Sequence, residues 1–200
     1  LFRSDLEKLH VVCGCGGGQA IHPLLAEVLA RSAHLVLDAD GLNAVAQDEA
    51  LAKALRQRGL KQASVITPHP LEAARLLKTD TVSIQNDRLQ AAQDLAELFN
   101  VVVVLKGSGT VIAAPNQTPR INTTGNGKLA SGGTGDVLAG VIGGIAAQNP
   151  EIAAKNWLDI ARLAVELHSE AVELAHEKGT VTASSVASAV SQAVSRRFSR

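Results

Sequence analysis

The feature that most constrains this chain is the alternation of short β-branched apolar runs with segments of helical periodicity. Three runs predict buried strands, at His34–Asp40, Ala63–Pro68 and Val101–Gly107. A fourth, Val11–Gly18, predicts a strand that leads into a glycine turn. Strands that alternate with helices form a parallel sheet covered on both faces, and ligands of such sheets bind beyond the carboxyl ends of the strands. The sequence therefore predicts an α/β fold with a mostly parallel central sheet.

The other segments predict a hairpin and a set of helices. Thr110–Pro115 and Pro119–Asn122 predict the hairpin. Helices are predicted at Pro23–Arg31, Pro70–Leu77, Gln85–Phe99 and Thr182–Arg197, with a long helix whose apolar stripe runs from Ile160 to Leu174. Because the sequence contains no internal repeat, low-complexity segment or linker, residues 1–200 are predicted to form one domain.

Composition excludes several function classes. The formal net charge is zero and aromatic residues make up 2% of the chain, which argues against a nucleic-acid partner. The sequence contains no run of about 18 apolar residues, so it predicts no membrane span. Its first residues lack the apolar core of a signal peptide. Cys13 and Cys15 are too few for a disulfide framework, and a zinc site would need more ligands. We therefore expect a cytoplasmic protein and assign no metal ligand.

The segment from Thr123 to Gln148 places one carboxylate, Asp136, at the head of an apolar helix and behind a run of glycines. The glycines of Ser131–Gly135 let backbone N–H groups approach an anion, and a helix N-terminus favours negative charge. Because a carboxylate repels phosphate, Asp136 fits a base that takes a proton from the attacking hydroxyl. Asn126 and the glycine run favour this reading. The alternative is that Asp136 is only the N-cap of a buried helix.

Other polar residues follow the strands at the same predicted sheet edge. Lys106 ends a strand before a glycine turn and could bind a phosphate, although this stretch alone favours an ordinary glycine turn between strands. His69 lies between two prolines, with Glu72 in the following helical turn. Asp38 and Asp40 could cap a helix, hold a water bound to Mg²⁺, or order the phosphate loop.

Two further groups of residues give weaker signals. The glycine turn at Gly14–Gly18 is a poor match to a dinucleotide fingerprint and favours a ligand wall lined by backbone. The remaining histidines lack metal-ligand spacing and are assigned no site role, and neither is Trp157, which is expected in the core. These histidines are His10, His22, His34, His168 and His176.

Four blocks in order resemble the ADP/ATP-dependent NAD(P)H-hydrate dehydratase family, a branch of the ribokinase-like superfamily. They are "LVLDADGLN", "ITPHPLEAARLL", "VVLKGSGTVI" and "NTTGNGKLASGGTGDVLAGVIGGIAAQ", and they lie between Leu35 and Gln148. The resemblance implies a ribokinase-like three-layer α/β/α fold. It also implies that ADP or ATP, with Mg²⁺, drives the elimination of water from hydrated NADH and NADPH through a phosphorylated intermediate.

The same resemblance implies roles for individual residues. Asp136 would be the catalytic base, and Gly16 or Gly18, His69 and Asp136 would contact the hydrated dinucleotide. The anion loop would comprise Gly132, Gly133 and Thr134 with Asn126. The adenine nucleotide would contact Lys106, Gly107, Ser108, Gly109, Thr110 and Gly135.

This chain also departs from the family pattern. The family usually has "GPGLG" where "GCGGG" stands here, and Gly41 replaces a common Ala. Two strand–helix units that normally precede Val11 and carry part of the substrate pocket are expected to be missing. If the chain is complete, that part of the pocket would come from another subunit, or the chain would be inactive. The family also suggests a homo-oligomer, often a tetramer, and a fused or partner epimerase domain. The alternatives are a kinase of hydroxymethylpyrimidine or hydroxyethylthiazole type, and a non-catalytic nucleotide-binding fragment.

Overall fold

The computed structural model describes residues 5–124, 131–153, 156–177 and 179–198. Within these residues a six-stranded sheet has the spatial order β1 to β6. Strands β1 to β4 are parallel, whereas β5 and β6 are antiparallel to their neighbours. The strands are β1 (His10–Cys13), β2 (His34–Leu37), β3 (Ser64–Ile66), β4 (Val102–Leu105), β5 (Val111–Ala113) and β6 (Arg120–Ile121).

Helices connect and cover the strands. The described α-helices are α1 (His22–Arg31), α2 (Ala39–Gln47), α3 (Glu49–Gly59), α4 (Pro70–Leu77), α5 (Thr81–Asn86), α6 (Arg88–Phe99), α7 (Thr134–Gln148), α8 (Pro150–Ala153), α9 (Trp157–Glu177) and α10 (Ala183–Phe198). In the part of the chain that the structure describes, no helix is both long and apolar enough to cross a membrane.

The sheet separates two apolar cores because successive side chains of a strand point to opposite faces. Leu35 and Leu37 of β2 pack in the core formed with α1 to α6. Val36, between them, packs on the other face with residues of α7 and α9, including Trp157. Both faces of the central strands are therefore buried, which explains why the sequences of these strands are continuous apolar runs. The predicted layered α/β arrangement and the core position of Trp157 are confirmed.

The boundaries of two predicted elements were wrong. The strand expected at His34–Asp40 ends at Leu37, because Asp38 accepts a hydrogen bond from the Ala39 N–H and starts α2. The helix expected at Gln85–Phe99 is divided, because Asp87 ends α5 and caps α6 through the Gln90 N–H. Helices α2 and α3 were not predicted as elements of their own.

The glycine-rich helix α7 is only partly buried, contrary to the expectation from its apolar sequence. Leu138, Ala139 and Ile142 face the core. Gly140 on another side is exposed, and a Cβ at Gly140 or Gly144 would meet no atom within 4 Å. The apolar sequence alone would place the whole helix in the core. Its glycines can lie at the surface, because they have no apolar side chain that must be buried.

The residues that follow β1, β2 and β4 lie together at the carboxyl edge of the sheet. Gly14 follows β1, Asp38 follows β2 and Lys106 follows β4. Backbone bonds continue the pairing beyond the strands, since Asp38 N donates to Cys13 O at 3.0 Å and Lys106 N donates to Pro68 O at 2.8 Å. These hydrogen bonds fix the backbone positions of Asp38 and Lys106, from which their side chains extend into the site.

Candidate active site

A buried ion pair lies at the carboxyl edge of the sheet. Lys106 Nζ is 2.6 Å from Asp38 Oδ1, and the Asp38 side chain is 1% exposed while that of Lys106 is 19% exposed. Asp38 Oδ1 also accepts from the Ala39 N–H at 2.9 Å. Asp38 Oδ2 is buried and has no hydrogen-bond partner among the described residues. Lys106 therefore balances the charge of Asp38, and one carboxylate oxygen remains available to a ligand.

Backbone strain accompanies this carboxylate. Ala39, the first residue of α2, has a φ of 46°, which is left-handed and unfavourable for a residue with a Cβ. Such strain persists only where the surrounding structure enforces it, and it concentrates at functional sites. Here it accompanies the sharp change from strand β2 to helix α2 that directs Asp38 toward Lys106.

The N-terminus of α7 carries the predicted anion loop. Gly133 is the N-cap, with a φ of 82° that favours glycine. Ser131 O accepts from both Thr134 N, at 3.3 Å, and Thr134 Oγ1, at 2.8 Å, so the loop is a tight turn. Asn126 lies outside the described residues.

Asp136 is the third residue of α7 and is exposed. The alternative that Asp136 is the N-cap is wrong, because Gly133 holds that position and the helix has no side-chain cap bond. A carboxylate in the first turn is favoured by the helix dipole, and the exposed position keeps this one accessible. This is the environment that a proton acceptor requires.

Gly135 joins the anion loop to the ion pair. A Cβ on Gly135 would lie 3.2 Å from Lys106 Nζ and 3.8 Å from Asp38 Oδ2. A side chain there would crowd the Lys106 ammonium and contact the Asp38 carboxylate, so glycine leaves the space above them open. The structure thus brings Gly135 and Lys106, two of the predicted nucleotide contacts, close together.

Cys15 completes this cluster and was missed by sequence analysis. One potential ligand atom each from Cys15, Asp38 and Asp136 lies within 4.8 Å of the other two. Burial raises the pKa of the Cys15 thiol to about 12, with further contributions from the charges of Asp38 and Asp136 and from a hydrogen bond to Asp136. A protonated thiol that donates to Asp136 orients the proposed base. No local pattern could reveal this contact, because the two residues are distant in sequence.

The glycine turn after β1 is fixed by the start of α2. Asp40 Oδ2 accepts from Gly18 N at 2.8 Å, and Asp40 N donates to Gly14 O at 3.2 Å. A Cβ at Gly14, whose φ is 110°, would come within 1.9 Å of Asp38 O, so only glycine fits there. Gly16 and Gly18 have open space where a Cβ would stand. Asp40 therefore orders the turn that carries both predicted substrate contacts.

His69 is bound into the start of α4. His69 Nδ1 accepts from Leu71 N at 3.1 Å and from Glu72 N at 3.4 Å, while Glu72 Oε2 accepts from His69 N at 2.8 Å. His69 Nε2 lies 3.2 Å from Glu72 Oε1. Both ring nitrogens thus have protein partners, which leaves the half-exposed ring itself for a substrate. Burial raises the pKa of the Glu72 carboxyl, against the opposing effects of the His69 N–H and of Lys106.

Arg88, which sequence analysis did not single out, organises the predicted nucleotide segment. Arg88 Nη2 donates to the carbonyls of Leu105, Lys106 and Gly109 at 3.2, 3.3 and 3.4 Å. Thr110 Oγ1 donates to Gly107 O at 3.1 Å. Gly107 and Ser108 are exposed. The turn from Lys106 to Thr110 is therefore held from its protein side and open on the other.

Helix α9 supports the anion loop from behind. His168 is buried and hydrogen-bonds the Thr134 backbone, and burial lowers the pKa of His168 to about 4 despite that bond. The neighbouring Ser169 Oγ accepts from Asn122 Nδ2 at 3.0 Å. Adjacent residues of α9 thus hold Asn122, which precedes the glycine-rich segment, and Thr134, which follows most of it. Sequence analysis gave His168 no role, because a helical histidine has no local signature of such a contact.

Comparison with known proteins agrees with this arrangement. The family model described as NAD(P)H-hydrate dehydratase matches residues 2–194. The chain belongs to the NAD(P)H-hydrate dehydratase family. A curated relative, the ADP-dependent (S)-NAD(P)H-hydrate dehydratase of Neisseria meningitidis serogroup B, is 36% identical over 193 residues. The alignment covers 96% of this chain and 62% of that relative, so the chain spans less than two thirds of the relative's length.

Solved structures of this family and its superfamily share the fold. The ADP/ATP-dependent NAD(P)H-hydrate dehydratase of Bacillus subtilis, co-crystallised with ATP/Mg²⁺, is 28% identical, with a TM-score of 0.73 over 97% of this chain and 69% of that one. A ribokinase-like superfamily protein of Enterococcus faecalis is 25% identical, with a TM-score of 0.75 over 98% of this chain and 66% of that one. The predicted ribokinase-like fold is confirmed.

Proposed function

We propose that this chain uses ADP or ATP to dehydrate hydrated NADH and NADPH, regenerating the reduced dinucleotide. The observation that carries the proposal is the position of Asp136, an exposed carboxylate in the first turn of a glycine-headed helix, directly beside the buried Asp38–Lys106 pair. Family membership supports the same reaction.

The proposed chemistry follows from the properties of the helix N-terminus. Its first N–H groups have no partner within the helix and can donate to the phosphoryl oxygens that are transferred. Asp136 takes the proton of the hydroxyl on the hydrated nicotinamide ring, and the hydroxyl oxygen attacks the terminal phosphorus. The bond from the terminal phosphorus to its bridging oxygen breaks, and the shortened nucleotide leaves with that bonding pair. The ring C–O bond then breaks and phosphate leaves with the bonding pair, while the adjacent ring carbon loses a proton to solvent, which restores the ring double bond.

The proposed binding regions lie on either side of Asp136. The adenine nucleotide contacts Lys106, Gly107, Ser108, Gly109, Thr110 and Gly135, on the turn that Arg88 holds. The hydrated dinucleotide contacts Gly16 or Gly18 and the ring of His69. In support, the glycine turn and the His69 ring both present open surface at the carboxyl edge of the sheet.

The residues present fit a magnesium ion. Mg²⁺ prefers oxygen ligands, and Asp38 Oδ2 is a buried carboxylate oxygen without a partner among the described residues. The Asp136 carboxylate lies within 4.8 Å of a ligand atom of Asp38. Asp38 would hold the ion or its waters while Asp136 stays uncoordinated as the proton acceptor, and Mg²⁺ would neutralise charge on the phosphoryl oxygens when bound. Thr134 and Gly135 would orient the phosphoryl group through the backbone.

The proposal is tested by incubating the protein with hydrated NADH, Mg²⁺ and either ADP or ATP. Recovery of the near-ultraviolet absorbance of NADH, with release of one phosphate per NADH formed, is the expected result. Omission of the nucleotide should abolish recovery. Hydrated NADPH should behave in the same way.

Two other outcomes would contradict the proposed dehydration and favour one of the alternative functions. Phosphorylation of a hydroxymethylpyrimidine or a hydroxyethylthiazole without NADH recovery would assign a small-molecule kinase. Nucleotide binding without either reaction would assign a binding fragment. A homo-oligomeric, for example tetrameric, assembly, a cytoplasmic location, an epimerase partner and a single domain over residues 1–200 stay predictions.

A further inference from the structure

We propose that Cys15, Asp38 and Asp136 form a binding site for a thiophilic divalent ion of the Zn²⁺ class, and that such an ion inhibits the protein. The site differs from a magnesium site by its sulfur ligand.

The three side chains come from three different elements. Cys15 belongs to the turn after β1, Asp38 follows β2 as the N-cap of α2, and Asp136 lies in the first turn of α7. Their potential ligand atoms lie within 4.8 Å of one another. Tetrahedral zinc holds sulfur at about 2.3 Å and carboxylate oxygen at about 2.0–2.2 Å, so its ligand atoms stand roughly 3.3–3.7 Å apart. The present limit of 4.8 Å is close to that spacing, and coordination would draw the three atoms together.

The buried oxygen of Asp38 points independently to a cation. Asp38 is fully buried, and its Oδ2 has no hydrogen-bond partner within the described ranges. A buried carboxylate oxygen without a partner is unfavourable, and a metal ion satisfies it. Gly135 leaves the approach open, because even an added Cβ at that residue would stand 3.8 Å from Oδ2.

The charges of the cluster balance around a divalent ion. Asp38 and Asp136 contribute two negative charges, and Lys106 beside Asp38 contributes one positive charge. Binding of a thiophilic ion releases the Cys15 proton to solvent and adds a thiolate, so the ion completes a neutral group. Thiolate ligands favour Zn²⁺ and Co²⁺ strongly over Mg²⁺. The thiol therefore selects the class of ion.

Inhibition follows from the identity of one ligand. When Asp136 coordinates the ion, its carboxylate cannot accept the proton of a substrate hydroxyl. This consequence rests on the proposed function, whereas binding of the ion does not.

Cobalt(II) tests the site directly, because a cobalt–thiolate bond absorbs in the near ultraviolet. Titration of the reduced protein with Co²⁺ should give this charge-transfer band at one ion per chain, and Zn²⁺ should abolish it. Cys15→Ser should lose the band. Cys13→Ser is the matched control and should keep it, since Cys13 is buried in β1. Asp136→Asn should keep the band but weaken Co²⁺ binding at least tenfold.

Absence of the band in the wild type, or its persistence in Cys15→Ser, would overturn the metal site. Circular dichroism of Cys15→Ser, with Cys15→Ala as a second variant, confirms that the loss is not unfolding. The dehydration assay with added Zn²⁺ then tests inhibition, which should be stronger in the wild type than in Cys15→Ser. If the band appears as expected but no dehydration is observed, the metal site stands and the proposed function fails.

Discussion

At the scale of single residues, the site depends on the buried contact between Asp38 and Lys106. Asp38 is shielded from water and its charge is balanced at 2.6 Å by Lys106. Removing one partner of a buried ion pair leaves an uncompensated charge, which typically costs about 3–5 kcal/mol. The same ammonium group lies next to Gly135, so the pair links stability to the position of the anion loop.

We predict that Lys106→Ala lowers the free energy of unfolding by about 3–5 kcal/mol, because Asp38 then stays buried without its cation. Adding Asp38→Asn should recover much of this loss. Urea denaturation of the two single variants and the double variant measures the coupling.

Lys78→Ala is the control, since Lys78 is 75% exposed in its ion pair with Glu49 and should change stability by less than about 1 kcal/mol. Strictly additive effects of Lys106→Ala and Asp38→Asn would show that the pair is not coupled in solution.

At the scale of elements, helix α9 positions the start of α7. His168 contacts the Thr134 backbone in a buried environment that lowers its pKa to about 4. An unfolded chain holds this histidine near its usual pKa of about 6.5 and so binds more protons than the folded chain between those values. The buried position of His168 therefore requires a neutral imidazole, although its hydrogen bond to Thr134 opposes this effect.

We predict that this contribution to stability is complete above about pH 6.5 and is lost as the pH falls toward 4, by up to about 3 kcal/mol. The sign follows from the lowered pKa, since protonation favours the unfolded state. His168→Gln should have a smaller loss of stability over that range than the wild type, measured by urea denaturation at each pH. His22→Gln, at an exposed position of α1, should keep the wild-type dependence. Parallel curves for the wild type and His168→Gln would contradict the prediction.

The elements themselves could be predicted to different degrees. The runs around Val36, Val65 and Val103 identified strands because both faces of the central sheet are apolar. The ends of these runs were less certain, since a single hydrogen bond from Ala39 to Asp38 turns the chain into α2. The break at Asp87 was missed because helical periodicity continues on both sides of a capping residue.

At the scale of the whole molecule, the fold gathers residues that are far apart in the sequence. Asp136 and Lys106 could be proposed one at a time, because glycines and strand ends mark them. Their association with Cys15 and Asp38 could not, since it arises from the parallel order of β1 to β4 and from the packing of α7 on that sheet. The local sequence therefore predicts helices and strands, but it says little about which distant side chains come into contact.

The central claim is that Asp136 acts as the base at the anion-binding end of α7. It is tested most directly by comparing wild type and Asp136→Asn in nucleotide-dependent recovery of NADH from its hydrate, with nucleotide affinity measured on the same samples. Asp159→Asn, a half-exposed acid in the first turn of α9, is the control. We predict that Asp136→Asn lowers the turnover rate about 100-fold or more and changes the nucleotide affinity only a few-fold. Turnover within tenfold of the wild type would contradict it.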